Sequence, residues 1–153
     1  MAAVLDAAPP SAWACTVARA KIDGVHTEIA PPNIAPPAAN YALGVVTEGA
    51  TRWLHSSGIV PTRSDGTVPD AIADQAEVVW ANLLAILADA DMAASDVVSV
   101  TTYVVVDFMA DLPTVMAARD KALGGHRAAS TLVTVPALAR PAWKMEIAIV
   151  AAQ

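Results

Sequence analysis

Between Met145 and Ala151 the chain places one carboxylate, Glu146, in a run that is otherwise apolar, Met-Glu-Ile-Ala-Ile-Val-Ala. A carboxylate in such a place can take a proton from water or from a carbon acid, the work of a general base. The stretch before it, His126-Arg-Ala-Ala-Ser-Thr-Leu-Val-Thr-Val135, reads as another strand, joined to the first by a proline-bearing loop. Alternation along that strand puts Ser130 and Leu132 on one face, a short polar wall followed by an apolar one. Arg127 lies three positions before Ser130, about 10 Å back at ~3.3 Å per residue. A bend at Ala128-Ala129 would swing its guanidinium toward the same place; the plainer reading is a solvated loop or an intersubunit ion pair. For Glu146 the plainer reading is a satisfied polar residue on a sheet.

The three histidines, His26, His55 and His126, are far apart, with no HxH or HxxxH spacing, so no metal site is expected. His55 is a candidate to line a cleft and His126 a candidate proton donor, though packed or surface positions are the simpler reading of both. Ser57 and Ser130 have no evident His/Asp partners, which argues against a hydrolase triad. No Gly-rich phosphate loop occurs, so no nucleotide cofactor is expected, nor any other cofactor.

The elements that must position these groups follow from periodicity and turn residues. Residues 1–39 read as an N-terminal extension. It comprises an Ala/Pro-rich leader, a candidate hairpin from Cys15 to Ile29 turning at Asp23-Gly24, and a polyproline-like connector, Pro31-Pro-Asn-Ile-Ala-Pro-Pro37. The main domain, 40–153, opens with candidate strands at Tyr41–Thr47 and Arg52–Ser57, and Asp65-Gly66 marks the next turn. Asp70 is the candidate N-cap of a helix on which Ile72, Ala76, Val79, Leu83 and Ile86 recur at three- and four-residue steps. Asp96–Val106, rich in β-branched residues, reads as a central strand. A second helix begins at Asp111, lines one side with Leu112, Val115, Arg119 and Ala122, and stops at Gly124-Gly125. Trp53 and Trp80 read as core, and Trp143 as interfacial. The order β-β-α-β-α-β-β predicts an α+β fold, a mixed sheet with two helices on one face. Its other face is apolar enough to need a cover, and copies of the same chain are the simplest one.

At 153 residues the chain is long enough for a real core, and 56% of its residues are hydrophobic, with a mean hydropathy of +0.48. The longest strongly apolar run, Val78–Ala88, is interrupted by Asn82 and is far shorter than the ~20 residues of a membrane-spanning helix. The first fifteen residues make a poor signal peptide and Cys15 is the only cysteine, which together suggest a cytoplasmic protein. A net charge of −6, with nine scattered basic residues, gives no footprint for nucleic acid.

Several short motifs, in order, resemble the Rid (YjgF) family, whose best-known members deaminate reactive imines and enamines. They are Asn40-Tyr41, Ser57-Gly58-Ile-Val-Pro61, Gln75 with Asn82-Leu83 and Ile86-Leu87, Asp96-Val97-Val98 with Tyr103, and the closing strands. The resemblance covers roughly Asn40 to Ala151. It implies a chorismate-mutase-like subunit with a six-stranded mixed sheet, a homotrimer, and three clefts between subunits. It also implies a small-molecule metabolite as partner, with Tyr41, Gly58, Met116, Arg127, Ser130 and Leu132 around it and Glu146 as the catalytic group. Met116 stands where relatives often carry asparagine, and Ala148 replaces a second family glutamate. Anchoring on Val133, Val135 and Leu138 puts Ser130 where the family carries its substrate-binding arginine. A neutral hydroxyl cannot reproduce the bidentate grip of a guanidinium on a carboxylate, so an ordinary 2-imino acid is not the expected substrate. The readings that remain are a cofactor-free hydrolase or deaminase of an imine, enamine or carbonyl-derived compound, a non-catalytic ligand-binding or regulatory trimer, and a lyase- or tautomerase-like enzyme. Relatives sometimes labelled endoribonucleases do not extend that label to so acidic a chain.

Overall fold

The computed structural model describes residues 21–22 and 25–153. Two strands, β1 (Lys21–Ile22) and β2 (His26–Ile29), pair antiparallel, Lys21 with Thr27 and Ile22 with His26. This is the end of the hairpin expected over Cys15–Ile29; Asp23-Gly24 and residues 15–20 lie outside the described residues. Along its other edge β2 pairs antiparallel with β3 (Gly44–Thr47).

The chain then turns through Gly49, in the left-handed region at φ 71°, and enters β4 (Trp53–His55). The helix α1 (Ile72–Asp89) and a short 3-10 turn at Ala94–Asp96 lead to β5 (Val97–Val105). A second 3-10 segment at Val106–Asp111 leads to α2 (Leu112–Ala122), followed by β6 (Ala129–Val135) and β7 (Met145–Ala152). The last four strands form a mixed sheet in the order β4-β7-β5-β6, with only β5 and β6 parallel.

The single six-stranded sheet expected from the sequence is therefore divided into three strands and four. After Gly49, Thr51 and Arg52 donate to the Gln153 carbonyl, so β4 joins the chain terminus rather than β3. One parallel bridge, Ala42 to Ala129, with the Ala42 N–H on the Ala128 carbonyl at 3.0 Å, links the two sheets.

Both helices pack on one face of the four-stranded sheet, as expected. Ile72, Ala76, Val79, Trp80, Leu83 and Leu87 of α1 and Val115 of α2 meet Val100 and Val104 of β5 and Met145, Ile147 and Ile149 of β7. Pro113 sits in the first turn of α2, and Gly124 and Gly125, at φ 59° and 87°, carry the chain out through the left-handed region. At the start of α1 the cap is Ala71, with no side-chain bond, rather than Asp70. Asp70 instead offers its carbonyl to Lys144 Nζ. Trp53 is also not core: it is 53% exposed, because strand alternation turns it to the face away from the helices.

Gln75, fully buried on α1, ties three segments together. Its Nε2 donates to the Pro69 carbonyl at 2.7 Å and to the Ala142 carbonyl at 2.8 Å, and its Oε1 accepts from the Lys144 N–H at 2.9 Å. Lys144 is the residue before β7, so this glutamine fixes where the strand bearing Glu146 begins. Gln75→Leu leaves two carbonyls and one N–H unpaired, and each such group costs about 1–3 kcal/mol. The expected result is a loss of about 3 kcal/mol or more, read as a lower urea midpoint at fixed protein concentration.

Candidate functional site

Register sorts the candidate side chains between the two faces of the four-stranded sheet. Val100, Thr102 and Val104 of β5 are buried toward the helices, and their partners in β7 are Ile149, Ile147 and Met145. The opposite face carries Ser99, Thr101, Tyr103 and Val105, with Val150, Ala148 and Glu146 opposite the first three. Glu146 therefore stands on the face that the helices leave open. His55, paired with Val150, shares that face but lies four residues along β7 from Glu146, about 13 Å.

Gly58 is the immediate neighbour of Glu146. Ser56 donates to the Ile149 carbonyl at 3.0 Å, and Ile59 exchanges two backbone bonds with Ile147, at 2.7 and 3.1 Å. Between these anchors the residues Ser57 and Gly58 together oppose Ala148 alone, which is a bulge in the ladder. The Ser56 hydroxyl accepts the Ile149 N–H at 2.9 Å and steadies it. The Glu146 carboxylate lies over the Gly58 backbone so closely that a Cβ on residue 58 would fall 1.7 Å from Oε1. Among the described residues, no ion pair or hydrogen bond engages that carboxylate, which is only half-buried. Asn82 on α1 holds the far end of this loop, its Nδ2 donating to the Thr62 carbonyl at 3.0 Å.

Ser130 and Leu132 do share a face, as alternation predicts, but it is the helix face: their β5 partners are Val100 and Thr102, both buried. From Ser130 to the rung holding Glu146 is three residues, about 10 Å along the strand, and the two side chains point to opposite sides. One protomer does not bring them into one pocket. The Ser130 hydroxyl instead accepts from Arg119 Nη1 at 3.2 Å. Arg119, 2% exposed, reaches in from α2, donates twice to Asp120 Oδ1 at 2.9 and 2.7 Å, and reaches the Asn40 carbonyl at 2.9 Å. Met116, also on α2, packs against the core on this side of the sheet.

Arg127 makes no approach to Glu146. Its guanidinium pairs with Glu28 of β2 at 2.8 Å and donates to the Tyr41 carbonyl at 2.8 Å, so the ion pair is within the chain. Tyr41, half-buried, thus sits where the three-stranded sheet meets β6. His126 Nε2 donates to the Val97 carbonyl at 2.7 Å. Sequence reasoning missed Arg119 as a partner of Ser130, Glu28 as a partner of Arg127, and Tyr103 as the cross-strand neighbour of Glu146. Each depends on how separate elements dock or pair, from eleven residues apart for Arg119 and Ser130 to about a hundred for Arg127 and Glu28, and the linear sequence carries no local signal for that.

Among the described residues, no cluster of three His, Cys, Asp or Glu side chains could hold a metal ion, and no helix is long and apolar enough to cross a membrane.

Residues 32–153 match the family described as Endoribonuclease L-PSP. Similar solved structures include the Rid-family protein YyfB of Yersinia pestis, 28% identical, covering 85% of this chain and 100% of that one, with a TM-score of 0.79. The YjgF gene product of E. coli is 29% identical over 74% of this chain and 87% of its own, with a TM-score of 0.61. No curated protein matches the chain.

The contact between Gly58 and Glu146 generates a clean test. In Gly58→Ala the added methyl meets Glu146 from Oε1 back to Cγ, at 1.7 to 2.9 Å, so the side chain must leave this rotamer; on the open face it can, and stability should fall by no more than about 1 kcal/mol. A crystal structure of the variant should show Glu146 in a different rotamer, with its carboxylate off the residue-58 backbone and melting nearly unchanged.

Proposed function

The chain belongs to the YjgF/Rid family, and on that footing we propose that it binds, and hydrolyses or deaminates, a small imine, enamine or carbonyl-derived metabolite at Glu146. The observation that carries this reading is the unengaged Glu146 carboxylate lying over the bare backbone of Gly58. A group so placed can orient and deprotonate a water for attack on a C=N carbon. Glycine at position 58 is what keeps that space open.

The substrate is not an ordinary 2-imino acid. Ser130 stands where the family motif has arginine, and its hydroxyl is already spent on Arg119. Arg127, the other nearby cation, is held by Glu28. We further propose that the working form is a homotrimer in the cytoplasm, in which a second copy lies against the open sheet face and completes the cleft. Two features support this: Trp53 and Val133 leave that face 53% and 41% exposed at apolar side chains, and one protomer cannot join Ser130 to Glu146. The family's endoribonuclease description is not extended to this chain, whose net charge of −6 disfavours a phosphate backbone.

Light scattering coupled to size exclusion should give three times 15.7 kDa; a stable monomer at micromolar concentration would remove the shared cleft. Turnover of 2-iminopropionate generated in situ should fall well below that of an arginine-bearing relative. A hydrogen bond to a charged group contributes about 1.5–3 kcal/mol, roughly tenfold to over a hundredfold in rate. Glu146→Gln should keep the assembly and its melting temperature while cutting kcat on an accepted imine. If the same change alters only ligand affinity, the protein is a binder rather than a catalyst.

A further inference from the structure

Glu146 has a second neighbour on the open face. Tyr103 of β5 is its direct cross-strand partner. Directly opposed side chains on one face of an antiparallel pair have Cβ atoms about 4.5–5.5 Å apart. The carboxylate lies over Gly58, on the β4 side of β7, while Tyr103 stands on the β5 side. On the next rung the open face carries two small side chains, Ala148 and Thr101. Both Glu146 and Tyr103 are half-buried, and neither side chain is hydrogen-bonded among the described residues. The core on the helix face does not include Tyr103, so packing there gives no reason for its hydroxyl. Among the residues paired in the four-stranded sheet, the open face carries no Lys or Arg.

We propose that Glu146 and Tyr103 form a base–donor pair that tautomerises a small, neutral carbonyl compound or imine bearing a C–H next to the C=O or C=N carbon. The proposal rests on the reading of Glu146 as the reactive group and adds its partner, its substrate class and a second reaction type. Glu146 takes the proton from the α-carbon: the C–H bond breaks and an O–H bond forms on the carboxylate. The C–H electron pair becomes the C=C bond, and the π pair of the C=O or C=N moves onto the heteroatom. The Tyr103 hydroxyl donates a hydrogen bond to that atom as its charge develops and keeps its own proton. Glu146 then returns a proton to the heteroatom, giving the enol or enamine, or to carbon after exchange with water. No oxidant, reductant or co-reactant is consumed. A neutral substrate is favoured because an anionic ligand would meet Glu146 with no cation among those paired residues of the same protomer to offset the repulsion; a cation supplied by the second copy would show as a preference for an anionic probe.

A preorganised donor of this kind contributes about 10²–10³ in kcat in water-excluded sites, and roughly 10- to 100-fold is expected here, where the groups are half-buried. The test is hydrogen–deuterium exchange at the α-carbons of 2-butanone and of 2-oxobutanoate in D2O, followed by proton NMR. The wild-type protein should accelerate exchange of 2-butanone above buffer, and more than that of 2-oxobutanoate. Tyr103→Phe should lower the rate roughly 10- to 100-fold with the same oligomeric mass and melting temperature, and Glu146→Gln should bring it to the buffer rate. Tyr103→Met serves as a second variant should the first fold poorly. Exchange at the buffer rate on both probes overturns the proposal, as does a Tyr103→Phe rate equal to wild type. A clear preference for 2-oxobutanoate overturns the neutral substrate class. If imine hydrolysis depends on Glu146 but not on Tyr103 and no exchange occurs, the proposed function stands and this pair does not.

Discussion

The antiparallel register of β5 against β7 is the constraint on which the rest depends. Tyr103 opposite Glu146 and Thr102 opposite Ile147 decide, residue by residue, which side chains face the helices and which face outward. A slip of one residue would bury the carboxylate among Leu83, Val100 and Val104 and turn Ile147 to the open side. The core therefore does more than stabilise the chain: the alternation of Met145, Ile147 and Ile149 is what keeps Glu146 and Ala148 outward. Gln75 sets the start of the same strand by holding the Lys144 amide, so a buried polar side chain on α1 and the apolar ladder of β7 specify one placement.

Much of this was legible in the chain. Richness in β-branched residues marked β5, an apolar run around one carboxylate marked β7, the three- and four-step recurrence from Ile72 marked α1, and Gly124-Gly125 marked the end of α2. Glu146 stood out because one carboxylate in an apolar strand is unusual, and Ser57-Gly58 stood out as a motif. The physical reason for the glycine was invisible until the bulge between Ser56 and Ile59 laid its backbone under the carboxylate. The division of the sheet could not be read either. Both Tyr41–Thr47 and Arg52–Ser57 look like strands, and nothing local says that one pairs with the N-terminal hairpin and the other with the C-terminal strand.

The faces were the harder part. Alternation correctly put Ser130 with Leu132, but a period of two fixes only relative orientation, not which side is core. Burial of Val100 and Thr102 settles it, and that information sits some thirty residues away in sequence. Arg127 was similar: the chain shows a cation near Ser130 but not that Glu28, about a hundred residues earlier, has already claimed it.

The bond between Arg119 and Ser130 also limits which side chains position 130 can hold. A guanidinium already lies 3.2 Å from the Ser130 hydroxyl, buried and also bonded to Asp120 and the Asn40 carbonyl. An arginine placed at position 130 would press a second positive charge against the first in a place with little water, where such repulsion is strong. An arginine at position 130 is thus blocked while Arg119 remains, and losing Arg119 would strand the Asn40 carbonyl that anchors the entry to the main domain. The small hydroxyl at position 130 and the buried guanidinium of Arg119 are thus a matched pair, and a large cation at the first position requires a change at the second.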